Sequence, residues 1–275
     1  MERFCIITNQ FKDENNYMTD RVLNYLRKAK KTVCTKENDG IQVADDTDCI
    51  IVLGGDGTLL KAARDNRKSG IPLMGINLGT LGYLSSVEKE NMEEALKMLL
   101  KGNFQIETRM MLAGIITLKS GEKKDEIHAL NDIVISRGGI PHIVSFRISI
   151  NGHYLNTYHA DGVIVSTPTG STSYNLSAGG PIVEPNARLL MLTPICPHTL
   201  NTRSIVFSAN DKVTIRVDEG KKEDIQRAVV NFDGEESIIL EAGDEITIRE
   251  SELTTKIMKL DDISFLGTLH KKMAE

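Results

Sequence analysis

Apolar residues in the first hundred positions are grouped in two alternating ways, as short continuous runs and as stretches with helical spacing. Short continuous runs are typical of strands that are buried on both faces of a parallel sheet. The predicted strands are residues 3–8, 40–43, 49–53 and 71–76, of which 40–43 is the weakest. Helical spacing covers residues 17–30 and 92–101, and a further helix is predicted to begin after Thr58. This alternation predicts a parallel sheet with helices on its faces.

Beyond residue 103 the helical spacing disappears, and apolar and polar residues alternate as in strands with one buried face. The predicted strands are 106–118, 133–136, 143–150, 162–166, 204–208, 212–217, 227–232, 237–240, 245–249 and 256–260. Asn151-Gly152 and Asp233-Gly234 are typical two-residue hairpin turns, and residues 264–273 are predicted to form a closing helix or tail. We therefore predict an α/β, Rossmann-like N-terminal domain over 1–104 and a C-terminal all-β sandwich domain over 105–275, α+β overall.

Composition and charge narrow the class of protein. Hydrophobic residues make up 40% and charged residues 26% of the chain, as in ordinary globular proteins. The net charge of −5 argues against a general nucleic-acid binder, and no apolar stretch is long enough to span a membrane. The four cysteines have neither metal-type nor disulfide-type spacing. We therefore expect a cytoplasmic protein with no nucleic-acid or membrane partner.

The most informative stretch is Gly54-Gly55-Asp56-Gly57-Thr58, which lies between the apolar run 49–53 and a predicted helix. Strand, glycine turn and helix is the arrangement with which α/β proteins present backbone N–H groups to phosphate. Glycine permits positive φ and a close approach of the phosphate. The Asp56 carboxylate suits either a cation that bridges phosphates or a hydroxyl that gives up its proton. The alternative is a tight turn in which Asp56 merely caps the helix.

A second glycine-containing turn follows the next predicted strand, at residues 77–84. Because the carboxyl ends of neighbouring parallel strands meet at one edge of a sheet, we expect the two turns to converge on one crevice, which is the usual ligand site of such sheets. The alternative is a single connection that needs glycine only for tight packing.

The second half contains a segment rich in hydroxyl groups, residues 166–177, directly after the apolar strand 163–165. Such a segment can hydrogen-bond to sugar hydroxyls and phosphate oxygens, although a polar surface loop is the alternative. Asn131-Asp132 would suit a ribose diol or an amide, or would form a turn before a strand. His142 and His159 are candidates for phosphate contacts, although a single histidine more often has a structural role.

Together these residues resemble the NAD kinase family. The family motifs G-G-D-G-[TN], N-[ED] and D-G-x-x-x-S-T-P-T-G-S-T-A-Y correspond to residues 54–58, 131–132 and 161–174, and the resemblance runs from about residue 3 to 265. It implies transfer of a phosphoryl group from ATP or polyphosphate to the 2′-hydroxyl of the adenosine ribose of NAD, giving NADP. Asp56 is then the catalytic carboxylate, with Mg²⁺ or another divalent cation nearby, although the sequence assigns no metal ligand.

The resemblance also implies the binding residues. The phosphate turn is Gly54, Gly55, Gly57 and Thr58. The implied NAD-binding residues are Asp56, Gly57, Lys61, Asn131, Asp132, His142, His159, Asp161, Thr169, Thr172, Ser173, Tyr174, Asn175, Leu176 and Ser177. The chain departs from the family at His159, where arginine is frequent, at Ser173, where alanine is common, and at Glu235, where a glutamine-like residue is usual.

NAD and ATP are the implied small-molecule partners, and a homodimer or homotetramer is the implied assembly. Two other functions share some of these features. Diacylglycerol and sphingosine kinases have a similar glycine turn, but this chain has no basic amphipathic segment to bring it to a membrane. A non-catalytic dinucleotide-binding sensor would lack the catalytic carboxylate, and Asp56 is present.

Overall fold

The computed structural model describes residues 1–37, 43–79, 82–85, 87–139, 143–199, 202–219, 227–260 and 265–274. The chain divides into two compact units, Met1–Arg109 with Thr254–Glu275, and Met110–Leu253. No helix within the described residues combines the length and the apolar character that a membrane-spanning helix requires.

The first unit alternates strands and helices. Its elements up to residue 101 are β1 (Arg3–Thr8), α1 (Tyr17–Lys28), β2 (Thr32–Glu37), β3 (Cys49–Gly54), α2 (Asp56–Asp65), β4 (Leu73–Asn77), β5 (Val87–Glu88) and α3 (Met92–Lys101). β2, β1, β3 and β4 lie side by side in that order and are all parallel. Apolar side chains such as Phe4, Ile51 and Leu96 form its core. Burial of these side chains, at about 25 cal/mol per Å² of apolar surface, drives the packing of helices on the sheet.

One strand of this sheet, β2, was not predicted. Residues 40–42 of the predicted strand 40–43 lie outside the described residues, and the strand beside β1 is β2. β2 was not predicted because it is the edge strand of this unit's parallel strands and is therefore less buried than the others. None of the residues from Thr32 to Lys36 is buried, so β2 lacks the continuous apolar run by which β1 and β3 were found.

The second unit is a β-sandwich, as predicted. Its elements are β6 (Gln105–Thr117), β7 (Ile127–Ala129), β8 (Asp132–Ser136), β9 (Val144–Ile150), β10 (His153–Ala160), β11 (Gly162–Ser166), α4 (Tyr174–Ser177), β12 (Leu189–Ile195), β13 (Ile205–Ser208), β14 (Val213–Val217), β15 (Arg227–Phe232), β16 (Glu236–Glu241) and β17 (Glu245–Lys259). One sheet has the order β13-β12-β11-β8-β15-β16, and the other contains β10, β9, β14 and β17 with β6 and β7. Side chains from both sheets, including Phe146, Val165 and Phe232, form one core.

Three strands of this unit were not predicted, the three-residue β7 and the longer β10 and β12. β10 was not predicted because its first four residues are all exposed, so buried and exposed positions alternate only in its second half. β12 is buried almost throughout, but it contains Pro194, a residue that argues against an interior strand because it cannot donate to a ladder.

The C-terminal segment belongs to the first unit, whereas the sequence assigned it to the second domain. The two strands predicted at 245–249 and 256–260 are one continuous strand, β17. In its last part Ile257 pairs with Leu73 of β4, and Met258 and Leu260 join the core of the first unit. Helix α5 (Phe265–Met273) follows. Long-range pairing of this kind leaves no local pattern in the sequence.

Candidate functional site

The glycine turn joins β3 to α2 in the first unit. Helix α2 begins at Asp56, with Gly55 in an extended conformation at its N-cap. The prediction that Thr58 caps this helix is therefore wrong, because the helix begins two residues earlier. Thr58 is buried in the first turn, where its hydroxyl accepts a hydrogen bond of 3.2 Å from the side-chain amide of Asn9. Backbone N–H groups at the start of α2 are thus presented at the end of β3.

None of the three glycines of this turn adopts positive φ, and of the three only Gly54 is required for space. A Cβ on Gly54 would collide with the Thr58 hydroxyl, and one on Gly55 would lie 3.0 Å from the Nζ atom of Lys12. A Cβ on Gly57 would meet nothing within 4 Å, and Gly57 is exposed. The face of Gly57 is therefore open to a ligand that approaches the backbone closely.

The carboxylate of Asp56 is held by the second glycine turn. It accepts backbone N–H hydrogen bonds from Tyr83 (2.7 Å), Leu84 (3.3 Å) and Ser85 (3.2 Å). A Cβ on Gly82 would overlap the carboxylate, so only glycine leaves room for it. These contacts confirm the prediction that the two turns converge. They also fix the direction in which Asp56 presents its oxygens.

Lys12 is a candidate that the sequence analysis missed. Its Nζ atom lies 3.0 Å from the Cβ position of Gly55 and 3.8 Å from that of Gly79, and it forms no ion pair with any described residue. It also lines a pocket of about 890 Å³, together with Leu78, whose N–H donates to the carbonyl of Gly54. A signal was available, because Lys12 follows β1, which neighbours β3 in a parallel sheet. The predicted Lys61 lies further along α2 and is half-buried.

In the second unit, Asn131 and Asp132 lie at the start of β8 with side chains that are 7% and 4% exposed. Asn131 Oδ1, Asp132 Oδ2 and Thr169 Oγ1 are buried and have no hydrogen-bond partner in the described structure. Burial, and then the charge of Asp233, raise the pKa of the Asp132 carboxyl to about 7. An unpartnered buried polar atom costs about 1–3 kcal/mol, so this group of atoms points to a ligand that would pair with them.

The hydroxyl-rich segment after β11 forms a 3-10 turn, Thr169–Thr172, and the short helix α4. Asn175 is fully buried within it. Its side-chain oxygen accepts from the hydroxyl of Thr193 at 2.7 Å, and its amide donates to the carbonyl of Pro181 at 3.2 Å. A Cβ on Gly180 would collide with the Asn175 side chain. In this structure Asn175 therefore holds the segment together.

The other predicted residues of this segment differ in exposure. Thr172 and Ser173 are half-buried, whereas Tyr174, Leu176 and Ser177 are exposed. The Tyr174 side chain is 45% exposed, so its ring is available to a ligand.

Two further predicted residues have protein partners. Asp161 lies between β10 and β11 and forms an ion pair with Arg137 at 3.4 Å, a partner that the sequence did not reveal. His159 on β10 is exposed, and its Nδ1 atom lies 2.8 Å from the hydroxyl of Ser145. His142 lies outside the described residues.

Two family models match the chain, the ATP-NAD kinase N-terminal domain over residues 4–104 and the ATP-NAD kinase C-terminal domain over residues 130–260. The chain belongs to the NAD kinase family. It is therefore a phosphotransferase, as the sequence predicted. The lipid-kinase and sensor alternatives are not favoured by these matches.

Curated relatives and solved structures agree with this membership. The chain is 45% identical to NAD kinase of Lachnospira eligens, covering 99% of this chain and 100% of the relative, and 43% identical to that of Lachnoclostridium phytofermentans, covering 100% of both. A crystal structure of an Archaeoglobus fulgidus NAD kinase in complex with ATP has a TM-score of 0.81 and 25% identity, covering 99% of both chains. Yeast NADH kinase complexed with NADH has a TM-score of 0.89 and 21% identity, covering 100% of this chain and 88% of that one. These neighbours confirm the predicted fold class.

Phosphoryl transfer usually employs a divalent cation. Within the described residues, no group of three or more histidine, cysteine, aspartate or glutamate side chains is arranged to hold a metal ion. Mg²⁺ in phosphoryl-transfer sites usually takes only one or two protein carboxylates and completes its shell with water and substrate phosphates. A Mg²⁺ ion at the glycine turn would therefore need at most one protein carboxylate.

Proposed function

We propose that the chain transfers the terminal phosphoryl group of ATP to the 2′-hydroxyl of the adenosine ribose of NAD, giving NADP and ADP. The main support is the carboxylate of Asp56, held by three backbone N–H groups at the start of a helix whose next residue, Gly57, is open to a ligand. A carboxylate so placed can receive a proton from a hydroxyl whose oxygen attacks a phosphate bound at the same turn.

In the proposed reaction, the 2′-oxygen of the ribose forms a bond to the terminal phosphorus of ATP. The bond from that phosphorus to the bridging oxygen of ATP breaks, and the hydroxyl proton passes to Asp56. Phosphoryl transfer of this type has a loose transition state, so positioning and charge neutralisation supply most of the catalysis. The N–H groups of Tyr83, Leu84 and Ser85 supply the positioning by fixing the Asp56 oxygens.

The donor phosphates are proposed to lie on the glycine turn, where the N–H groups that begin α2 and the ammonium group of Lys12 face them. Lys12 supplies a positive charge, which the phosphate-turn motif itself lacks. A divalent cation, proposed to be Mg²⁺, would be held near Asp56 by the donor phosphates and water, and would neutralise charge on those phosphates when bound. Polyphosphate is an alternative donor because the same groups would bind it.

The acceptor is proposed to pair with the unpartnered atoms of Asn131, Asp132 and Thr169, which suit ribose hydroxyls and an amide. Tyr174 would offer its exposed ring to the dinucleotide. The remaining implied contacts, including His159, Asp161 and Thr172 to Ser177, belong to the same proposal. Because the polar atoms of Asn175 have protein partners, we propose that it contributes by shaping the segment.

A cytoplasmic location and a homodimeric or homotetrameric assembly are also proposed. The location is supported by the cysteines, since all four are free and Cys5 and Cys49 are buried. Burial, followed by the interaction with Cys34, raises the pKa of the Cys5 thiol to about 12, so this thiol is unreactive. The assembly rests on the family resemblance alone, and sedimentation of the purified protein tests it.

The test of the activity is a matrix of donors and acceptors assayed with the purified protein and Mg²⁺. The donors are ATP and polyphosphate, and the acceptors are NAD, NADH and diacylglycerol. We expect NADP to form from ATP and NAD, with phosphorus at the 2′-position by ³¹P NMR. Phosphorylation of the lipid without phosphorylation of NAD would overturn the proposal. Omitting Mg²⁺ in the presence of a chelator tests the cation, and we expect turnover to stop.

A further inference from the structure

The carboxylate of Asp233 forms hydrogen bonds that a hairpin turn alone does not explain. Asp233 (φ 50°) and Gly234 (φ 78°) form the predicted tight turn between β15 and β16. The Asp233 carboxylate accepts backbone N–H hydrogen bonds from Leu130 (2.7 Å), Asn131 (2.8 Å) and Asp132 (3.2 Å). A hairpin turn needs none of these three bonds. They tie the turn to the segment that carries the candidate acceptor-binding side chains.

The same segment is held on its carbonyl side by the residue that follows β11. The hydroxyl of Thr167 donates to the carbonyl of Leu130 at 2.6 Å, and the Thr167 N–H donates to the carbonyl of Asn131 at 2.9 Å. The backbone of Leu130–Asp132 is therefore fixed from two sides. Two of its side-chain oxygens, Asn131 Oδ1 and Asp132 Oδ2, are buried and have no partner among the described residues. A fixed backbone that carries unpaired polar side chains is a preorganised ligand contact.

We propose that Asp233 is a positioning residue for the acceptor, because its carboxylate sets the backbone of Leu130–Asp132 so that the side chains of Asn131 and Asp132 meet a ribose or amide group of NAD. This role rests on the proposed function. A carboxylate suits it because a single ionised group can accept several N–H bonds, each stronger than a bond to a neutral acceptor. An asparagine would keep one acceptor oxygen but would turn an NH₂ group toward a backbone N–H.

The test is Asp233→Asn, a change that keeps the size of the side chain and tolerates the positive φ of the turn. NAD affinity is measured by calorimetry, and the KM values for NAD and ATP are measured by steady-state kinetics. We expect NAD to bind about tenfold more weakly, with a matching rise in its KM, because charge-assisted bonds that orient the segment are lost. The KM for ATP should change less than about twofold, because Asp233 orients only acceptor contacts in this proposal.

Asp244→Asn is the matched control. Asp244 is also a buried carboxylate of the second unit, and it accepts the N–H groups of Lys119 (2.7 Å) and Glu241 (2.9 Å), but it has no contact with Leu130–Asp132 among the described residues. We expect this variant to lose thermal stability without losing NAD affinity. Equal losses of NAD affinity in the two variants would overturn the proposal, since the effect would then be general loosening of the unit.

Thr167→Val provides a second approach if Asp233→Asn folds poorly. It removes the hydroxyl that fixes the carbonyl of Leu130 and retains nearly the same shape. We expect the same selective rise in the KM for NAD. Normal NAD affinity in folded Asp233→Asn would overturn the positioning role while leaving the proposed function intact. A wild-type protein that binds NAD but does not phosphorylate it would overturn the function and leave the positioning role testable by calorimetry.

Discussion

Two aspartates at the candidate sites of the two units have opposite environments. Asp56 in the first unit is half-buried, and its carboxylate is held by three backbone N–H groups. Asp132 in the second unit is 4% exposed, and one of its oxygens has no partner. Burial and the nearby charge of Asp233 raise the pKa of the Asp132 carboxyl to about 7.

This difference suggests that the two aspartates have different roles in the proposed reaction. A carboxylate that is oriented by N–H groups at a phosphate turn is ready to act on a reacting hydroxyl without further rearrangement. A buried carboxyl with one unpaired oxygen is costly alone, and it recovers that cost when a ligand pairs with that oxygen. We therefore assign the reaction to the first environment and substrate recognition to the second. The following variants test this assignment.

The largest effect is expected for Asp56→Asn. The amide cannot take the proton of the attacking hydroxyl, so we expect kcat to fall about 10²–10⁴-fold. NAD affinity, measured by calorimetry, should stay within about threefold, since the amide keeps a similar shape. Asp65→Asn at the far end of α2 is the control and should keep normal turnover. Unchanged kcat in Asp56→Asn would remove the mechanism.

Gly82→Ala should produce the next largest effect. Its Cβ would overlap the carboxylate of Asp56 and displace it from the N–H groups of Tyr83–Ser85. Because a displacement of about 1 Å can cost about 10²-fold, we expect a loss of that order in kcat with little change in NAD affinity.

Gly57→Ala sharpens this test, because a Cβ there meets no protein atom. We expect unchanged thermal stability but a higher KM for ATP, as the methyl group would block the approach of a phosphate. Equal kcat values for Gly82→Ala and the wild type would show that the orientation of Asp56 does not limit the reaction.

A smaller effect is expected for Lys12→Ala. The Nζ atom of Lys12 lies over the glycine turn, so its loss should raise the KM for ATP about tenfold, which corresponds to one charged contact with phosphate. The KM for NAD should change little. Lys101→Ala, in the last turn of α3, is a control of equal charge change. If the KM for ATP rises equally in both variants, the effect is one of overall charge and Lys12 has no specific role.

The local parts of this picture could be predicted from the sequence. The apolar run before Gly54, the glycine turn and the periodicity after Thr58 lie within twenty residues, so spacing alone indicated a strand, a tight turn and a helix. The Asp-Gly hairpin at 233 was equally local. The exact start of α2 was not predicted, because its first three residues, Asp56–Thr58, are not apolar and include Gly57, a poor helix former.

The long-range parts could not be predicted. The ion pair of Arg137 with Asp161 depends on strand register, and the carboxylate of Asp233 reaches residues a hundred positions earlier. The raised pKa of Asp132 depends first on burial, which only the folded sandwich produces. Lys12 was missed for a different reason, since its one signal is its position after β1, and a lone lysine in a polar loop has no motif of its own.

The smallest effect we predict is a pH dependence of stability at Asp132. The pKa of this carboxyl is raised to about 7 in the folded protein, whereas in the unfolded chain it is about 3.9. Below about pH 3 the group is protonated in both states, so it causes no loss of stability. As the pH rises toward 7, the unfolded chain ionises first, so stability falls, and the loss is complete above pH 7. Asp132→Asn does not titrate. Its midpoint of thermal unfolding should therefore rise relative to the wild type by a few degrees between pH 5 and pH 8, measured by circular dichroism without ligand. Parallel curves for the two proteins would show that Asp132 is already paired in solution, and the contrast with Asp56 would then be lost.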